Sequence, residues 1–219
     1  MPNADTKTRI MDVGETLFAE RGYEATSLRD ITGKAGANLA AVNYHFQSKE
    51  GLLSAIFQRH VGPVNRERLL VLDAIEARAS KRPPNVEKLI RAFLAPAFAR
   101  RRERGADGAR FMQLAGRMHS ETNERLRSLL LDQFEEVAKR FGKAFSRALP
   151  HLARDEVSLR VHFLIGAMAH TLLWSDTMLG FESRKRRNVE PEEALESLVR
   201  FTAAGMTAPV APRSEEGRR

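Results

Sequence analysis

The chain has 219 residues, 42% of them hydrophobic and 29% charged, with a formal net charge of +8 and no cysteine. These proportions suit a soluble globular protein of one large domain or two small ones. The absence of cysteine excludes disulfides, thiolate metal sites and cysteine nucleophiles; no apolar run nears the ~20 residues that span a bilayer, and without a signal-peptide core the expected location is the cytoplasm.

After a polar lead-in, Asp5 or Thr6 can cap a first helix in which Ile10, Val13, Leu17 and Phe18 keep a 3.6-residue period, and Gly22 ends it. Ser27 is a good N-cap for a second, short helix, with Asp30 in its first turn and Leu28, Ile31 and Ala35 at helical spacing. Gly36 stands where a left-handed residue is wanted, and Asn38 can cap a third helix that begins at Leu39. The turn between them is about three residues, the length a helix-turn-helix needs. Along the third helix, steps of about 100° put Val42 and Phe46 on one face with Leu39 close by, while Ala40, Ala41 and Tyr44 point away and Asn43 and His45 flank them. Small outward side chains let a helix backbone approach a DNA groove closely. Ser48 can cap a fourth helix, which places Lys49 in its first turn. A cation there opposes the helix dipole, so a phosphate partner explains it better than folding does.

Charge placement sharpens this. Residues 1–60 hold seven basic and seven acidic side chains, leaving 29 basic against 21 acidic in the remainder. A nucleic-acid role for the first sixty residues therefore rests on where Arg9, Arg29, Lys34 and Lys49 sit, not on bulk charge.

From Lys49 onward, Leu52, Leu53, Ile56 and Phe57 continue the helical period, making residues 49–62 a link to the C-terminal part of the chain. Pro63 either opens a further helix or kinks one long helix, and the pattern leaves both open. Residues 80–84 are a break. Val86 to Phe98 is again periodic, and the run Arg100-Arg101-Arg102-Glu103-Arg104-Gly105 is expected to close that helix as a solvated basic end. Helices are then expected at Ala109 to His119, Asn123 to Leu149, Glu156 to about Leu179, and Glu192 to Met206 with Pro191 at its first position. Residues 184–188 read as a basic loop and 209–219 as a disordered tail. The fold class is all-α: a reading head over residues 1–50, a linking helix over 49–62, and a larger helical domain over 63–208.

The segment from Thr26 to Lys49 resembles the DNA-binding domain of TetR/AcrR-type transcriptional regulators. The family's pattern appears as Thr26-Ser27, Ile31, Ala35-Gly36, Tyr44-His45-Phe46 and Ser48-Lys49-Glu50, several fixed offsets within roughly the first sixty residues. One departure is the apolar start of the third helix, Leu39-Ala40-Ala41, where many members carry a polar or basic residue. Base readout then leans on Asn43, Arg29 and methyl contacts. The resemblance implies phosphate contacts at Tyr44, Lys49 and Thr26 or Ser27, and a DNA-facing set of Thr26, Ser27, Arg29, Asn38, Leu39, Ala40, Ala41, Asn43, Tyr44, His45 and Lys49.

It also implies a homodimer on a palindromic operator of double-stranded DNA, with the last two long helices forming a four-helix bundle with their copies. Val157, Val161, Leu164 and Met168, with Leu195, Leu198, Val199 and Thr202, give stripes suited to that bundle; the alternative is that they fill the monomer core. A small-molecule cavity is implied in the C-terminal part. Its candidate lining is Phe93, Phe98, Phe111, Met112, Met118, Phe163, Met168 and Trp174, with polar Arg117, His119, His162 and His170, although aromatic and methionine residues at this spacing are often plain core. Arg117, set among apolar neighbours, calls for an acid partner or an anionic ligand. His162 and His170 are too far apart to chelate one ion, so no metal or cofactor is expected. No phosphate-binding loop, His-Glu-x-x-His run or Gly-x-Ser-x-Gly elbow points to an enzyme. The function implied is a ligand-responsive repressor; the alternative is a helix-turn-helix protein that binds DNA or a partner without an effector switch.

Overall fold

Local capping sets the first boundaries. In the computed structural model, which describes the backbone of residues 2–119, 123–174 and 189–210, α1 (Pro2–Arg21) is followed by α2 (Leu28–Ala35), α3 (Leu39–Phe46) and α4 (Lys49–Ala79). Ser27 and Asp30 form a reciprocal capping box at the start of α2. Gly36 ends that helix at φ 59° and ψ 38°, a left-handed geometry that costs glycine little. Asn38 Oδ1 accepts from Ala41 N at 2.8 Å, and Ser48 Oγ accepts from Gly51 N at 3.0 Å, so α3 and α4 start where their caps predict. Gly51 is required for a different reason: a Cβ there would collide with the Phe46 carbonyl oxygen, and only glycine lets α4 leave α3 so tightly.

The remaining helices are α5 (Val86–His119), α6 (Glu124–Leu131), α7 (Glu135–Ala148), α8 (Arg154–Trp174) and α9 (Pro191–Thr207), with a 3₁₀ turn at Asp132–Phe134. Two apolar cores result. One gathers Ile10, Leu17, Phe18, Ile31, Val42, Phe46 and Ile56 with Leu114 and Met118 of α5. The other gathers Leu72, Leu89, Phe93 and Phe98 with Phe141, Phe145, Val157, Leu164, Leu198 and Val199. Helices α4 and α5 enter both cores. No described helix is long and apolar enough to cross a membrane.

Four boundaries differ from the sequence pattern. Helix α1 begins at Pro2, so Asp5 and Thr6 lie inside it and do not cap it. Pro63 lies inside α4, which runs unbroken because its two halves are buried in different cores. The arginine run and Gly105 do not end a helix; α5 continues through them to His119, and Arg101 donates to the Leu172 carbonyl near the end of α8 at 2.5 Å. The expected helix from Asn123 to Leu149 is broken at Asp132–Phe134, where Asn65 Nδ2 donates to the Gln133 carbonyl at 2.8 Å and Gln133 Nε2 donates to the Ser54 carbonyl at 3.1 Å. These side-chain bonds to α4 draw the turn out of the helical path. The expected end of α8 near Leu179, the 184–188 loop and residues 211–219 of the tail lie outside the described residues.

A buried charge cluster ties α1 to α4. Glu15, almost fully buried, accepts from His60 Nε2 at 2.8 Å and from Arg59, which also pairs with Asp12. Burial pushes the Glu15 carboxyl up, but bonds and charge from His60 and Arg59 outweigh it and hold its pKa below 4.5. A carboxyl lowered in the fold stabilises above its unfolded value and loses that contribution as pH falls through the folded one. Glu15→Gln is therefore expected to cost about 3 kcal/mol at pH 7. In thermal melts the gap from wild type should narrow as pH falls from 4.5; a gap that stays constant would show that Glu15 contributes by shape alone.

Candidate nucleic-acid interface

Helices α1 and α2 hold α3 by its Val42 and Phe46 face, which is buried. The opposite face is open: Ala40, Asn43 and Tyr44 are exposed, Tyr44 by 75%, and Ala41 and His45 are half-buried. The His45 ring meets the Tyr44 ring edge-on at 4.9 Å, which limits where the tyrosine can point. Leu39, expected close to the buried face, is exposed as well, whereas Ala41, expected to point away, is half-buried and packs on the reading-head core. Ser27, Arg29 and Asn38 are exposed beside it.

Thr26 is a correction. Its side chain is 1% exposed and donates to the Leu17 and Gly22 carbonyls, so it fastens the end of α1 and has no hydroxyl to offer a phosphate. Lys49 corrects the expectation that it gains little by folding. Its Nζ lies 4.1 Å from the Tyr23 ring centre, a cation–π contact. Burial lowers its pKa, against the charges of Glu24 and Glu50. Arg9 is also engaged, donating to the Ala35 carbonyl at 3.2 Å and to Asp5 at 2.6 Å.

In the C-terminal part, the expected dimer stripe faces inward. Val157, Leu164, Leu198, Val199 and Thr202 are buried, and Val161, Met168 and Leu195 pack on the same core. The open faces carry Leu159, His162, Phe163, Gly166 and His170 on α8 and Ser197, Phe201, Ala204 and Gly205 on α9. Phe163 is 61% exposed and Phe201 72%. Arg160 joins the two helices, donating to the Gly205, Met206 and Ala208 carbonyls at the end of α9. The strongest apolar stripe on each helix had to fill the monomer core first, and the weaker stripe was left outside.

The expected cavity residues do not form one site. Phe93 and Phe98 are core, Met112 packs against that core, and His162, Phe163 and His170 lie on the open face of α8. Phe111 and Met118 belong to the reading-head core, where Phe111 stacks on His60 at 4.0 Å. Side chains of His119 and Trp174 lie outside the described residues. Arg117 has no acid partner among the described residues and no buried setting: it is exposed and donates to the Ala19 and Glu20 carbonyls at 2.7 and 3.0 Å. Those are unpaired carbonyls at the end of α1, where a cation also meets the negative end of the dipole. A depression of about 290 Å³ beside Phe201, lined also by Thr171, Val189, Ala194 and Leu198, includes none of the expected cavity residues.

Residues 10–56 match the family model for bacterial regulatory proteins of the TetR family, and residues 91–205, more than half of the chain, match the tetracycline repressor-like C-terminal domain. The chain belongs to the TetR family. Among curated relatives, the HTH-type transcriptional repressor KstR2 of Rhodococcus jostii is 35% identical over 75 residues, covering 34% of this chain and 37% of KstR2. The chain thus matches about a third of the length of such relatives. A TetR-family regulator from Bordetella parapertussis superposes with a TM-score of 0.60 at 17% identity, covering 90% of this chain and 93% of that one. PfmR of Thermus thermophilus gives 0.58 at 18% identity over 93% and 97%. These likenesses concern the fold.

Within this TetR-family chain the contact that ordinary pattern reading misses is the one between α5 and the reading head. Leu114 and Met118 are inserted into the head core while Arg117 caps α1. The signal was present in the spacing, since Phe111, Leu114 and Met118 share a helix face from which Arg117 is displaced.

Proposed function

We propose that two copies of this chain bind a palindromic operator in the cytoplasm through α3 and repress transcription, and that a small molecule entering the C-terminal helices releases the DNA. The observation that carries this reading is the outward face of α3, with small Ala40 between Asn43 and Tyr44, held on a capped three-helix head. The dimer forms through the open faces of α8 and α9 rather than through the stripe that the sequence pattern favours. Release needs a ligand that prefers a spacing of the two heads unlike that of the operator. The α5 helix gives such a ligand a route, because it runs from the C-terminal core to Arg117 and the end of α1.

Fluorescence anisotropy on DNA upstream of the chain's own gene tests the contacts. Tyr44→Ala is expected to weaken binding about 10-fold, as loss of a backbone-positioning contact would. Lys49→Ala should lower the slope of log affinity against log salt by about 1, beyond any loss of stability from the Tyr23 contact. An unchanged slope assigns Lys49 to the fold alone, and wild-type affinity for Tyr44→Ala would remove Tyr44 from the interface.

A further inference from the structure

Because α4 runs on past Pro63, it carries Arg68 into the C-terminal core, where the residue is 2% exposed. Its five N–H groups meet three acceptors: Nε donates to the Phe93 carbonyl at 2.8 Å, one terminal nitrogen to Asn65 Oδ1 at 3.0 Å, and the other to the Met168 sulfur at 3.3 Å. The guanidinium carbon lies 4.2 Å from the centre of the Phe93 ring. Among the described residues no carboxylate pairs with it. Arg160, also buried, is treated differently: its Nε donates to Glu156 Oε1 at 2.7 Å, and one of its terminal nitrogens donates to three carbonyls. A guanidinium buried without an anion is costly, and burial lowers the Arg68 pKa to about 10, which leaves it charged at neutral pH.

The weak side of the arrangement is the edge toward α8. A thioether is a poor acceptor, and methionine is unbranched and readily moved. We propose that this edge of Arg68 is the anion receptor of the effector site, and that the effector is a monocarboxylate on an apolar body. Its two oxygens replace the Met168 sulfur and engage the guanidinium fork, and its body lies against Phe93 in the apolar core. A single cation among apolar residues matches a single negative charge better than a phosphate dianion. Asn65, which takes one arm of the fork, also donates to the Gln133 carbonyl, and Gln133 donates to Ser54, so occupancy reaches the part of α4 that carries the reading head. The inference rests on the reading that a ligand enters the C-terminal helices.

The test uses the full chain with sodium octanoate and phenylacetate as probes and 1-octanol and 2-phenylethanol as neutral counterparts, followed by thermal shift and titration calorimetry. At least one carboxylate is expected to raise the wild-type melting temperature and to bind at least 10-fold more tightly than its alcohol. Arg68→Met should lose that preference, and Arg68→Lys, which keeps the charge but not the fork, should bind at least 5-fold more weakly than wild type. Circular dichroism reports whether Arg68→Met folds; if it does not, the Arg68→Lys comparison decides. Equal response to acid and alcohol, no binding of either carboxylate, or unchanged carboxylate affinity in a folded variant overturns the proposal. Operator binding by the wild type is measured separately, so failure of the repressor reading is not confused with failure of this site.

Discussion

Ala40→Glu is expected to abolish operator binding, with a loss of at least about 100-fold, or about 2.7 kcal/mol. The side chain at this position is exposed on the open face of α3, beside Asn43 and Tyr44. Glutamate there adds bulk where the helix must approach the groove and sets a carboxylate against the phosphates, a juxtaposition of like charges that costs several kcal/mol. The fold should be indifferent, since exposed substitutions of this kind usually change stability by less than about 0.5 kcal/mol. Ala40→Ser is the control and should bind within a few-fold of wild type. Anisotropy titrations alongside thermal melts separate the outcomes: a folded Ala40→Glu protein that binds within 10-fold of wild type would show that α3 is not the reading helix.

The contrast between what local sequence reveals and what it conceals has a physical basis. Ser27 with Asp30, Gly36, Asn38 and Ser48 act over three or four residues, so their roles are legible without knowing the fold. The outward face of α3 is equally legible, because Val42 and Phe46 are its only strong apolar pair. Pro63 and Gly105 are strong local breakers, yet α4 and α5 pass through them because each helix is anchored at both ends in a separate core. Thr26, Lys49 and Arg117 depart from the sequence pattern for a related reason. Each satisfies or is satisfied by a group distant in sequence, respectively the Leu17 carbonyl, the Tyr23 ring and the Ala19 carbonyl. Arg68 carries no signal in the sequence. Its burial follows only from the continuity of α4, which the pattern around Pro63 leaves undecided.

The double substitution Phe163→Glu with Phe201→Glu is expected to give a folded monomer of 24.6 kDa where the wild type is expected to sediment as a dimer. Both rings are mostly exposed in the single chain, so neither is needed to complete its core. Their neighbours Gly166, Ala204 and Gly205 are small, which lets two helices approach closely around the aromatic side chains. Four glutamates facing one another across a twofold axis would oppose that approach by charge and by desolvation. Losing the second head should cost operator affinity about 10²- to 10⁴-fold, because linked binding makes the second contact intramolecular. Val199→Glu discriminates the two stripes of α9. Val199 is fully buried, so a carboxylate there should unfold the chain rather than dissociate it. Sedimentation velocity with circular dichroism distinguishes the results. If the double variant remains a dimer of wild-type affinity, the twofold axis lies elsewhere and the spacing of the two α3 helices must be derived from another surface.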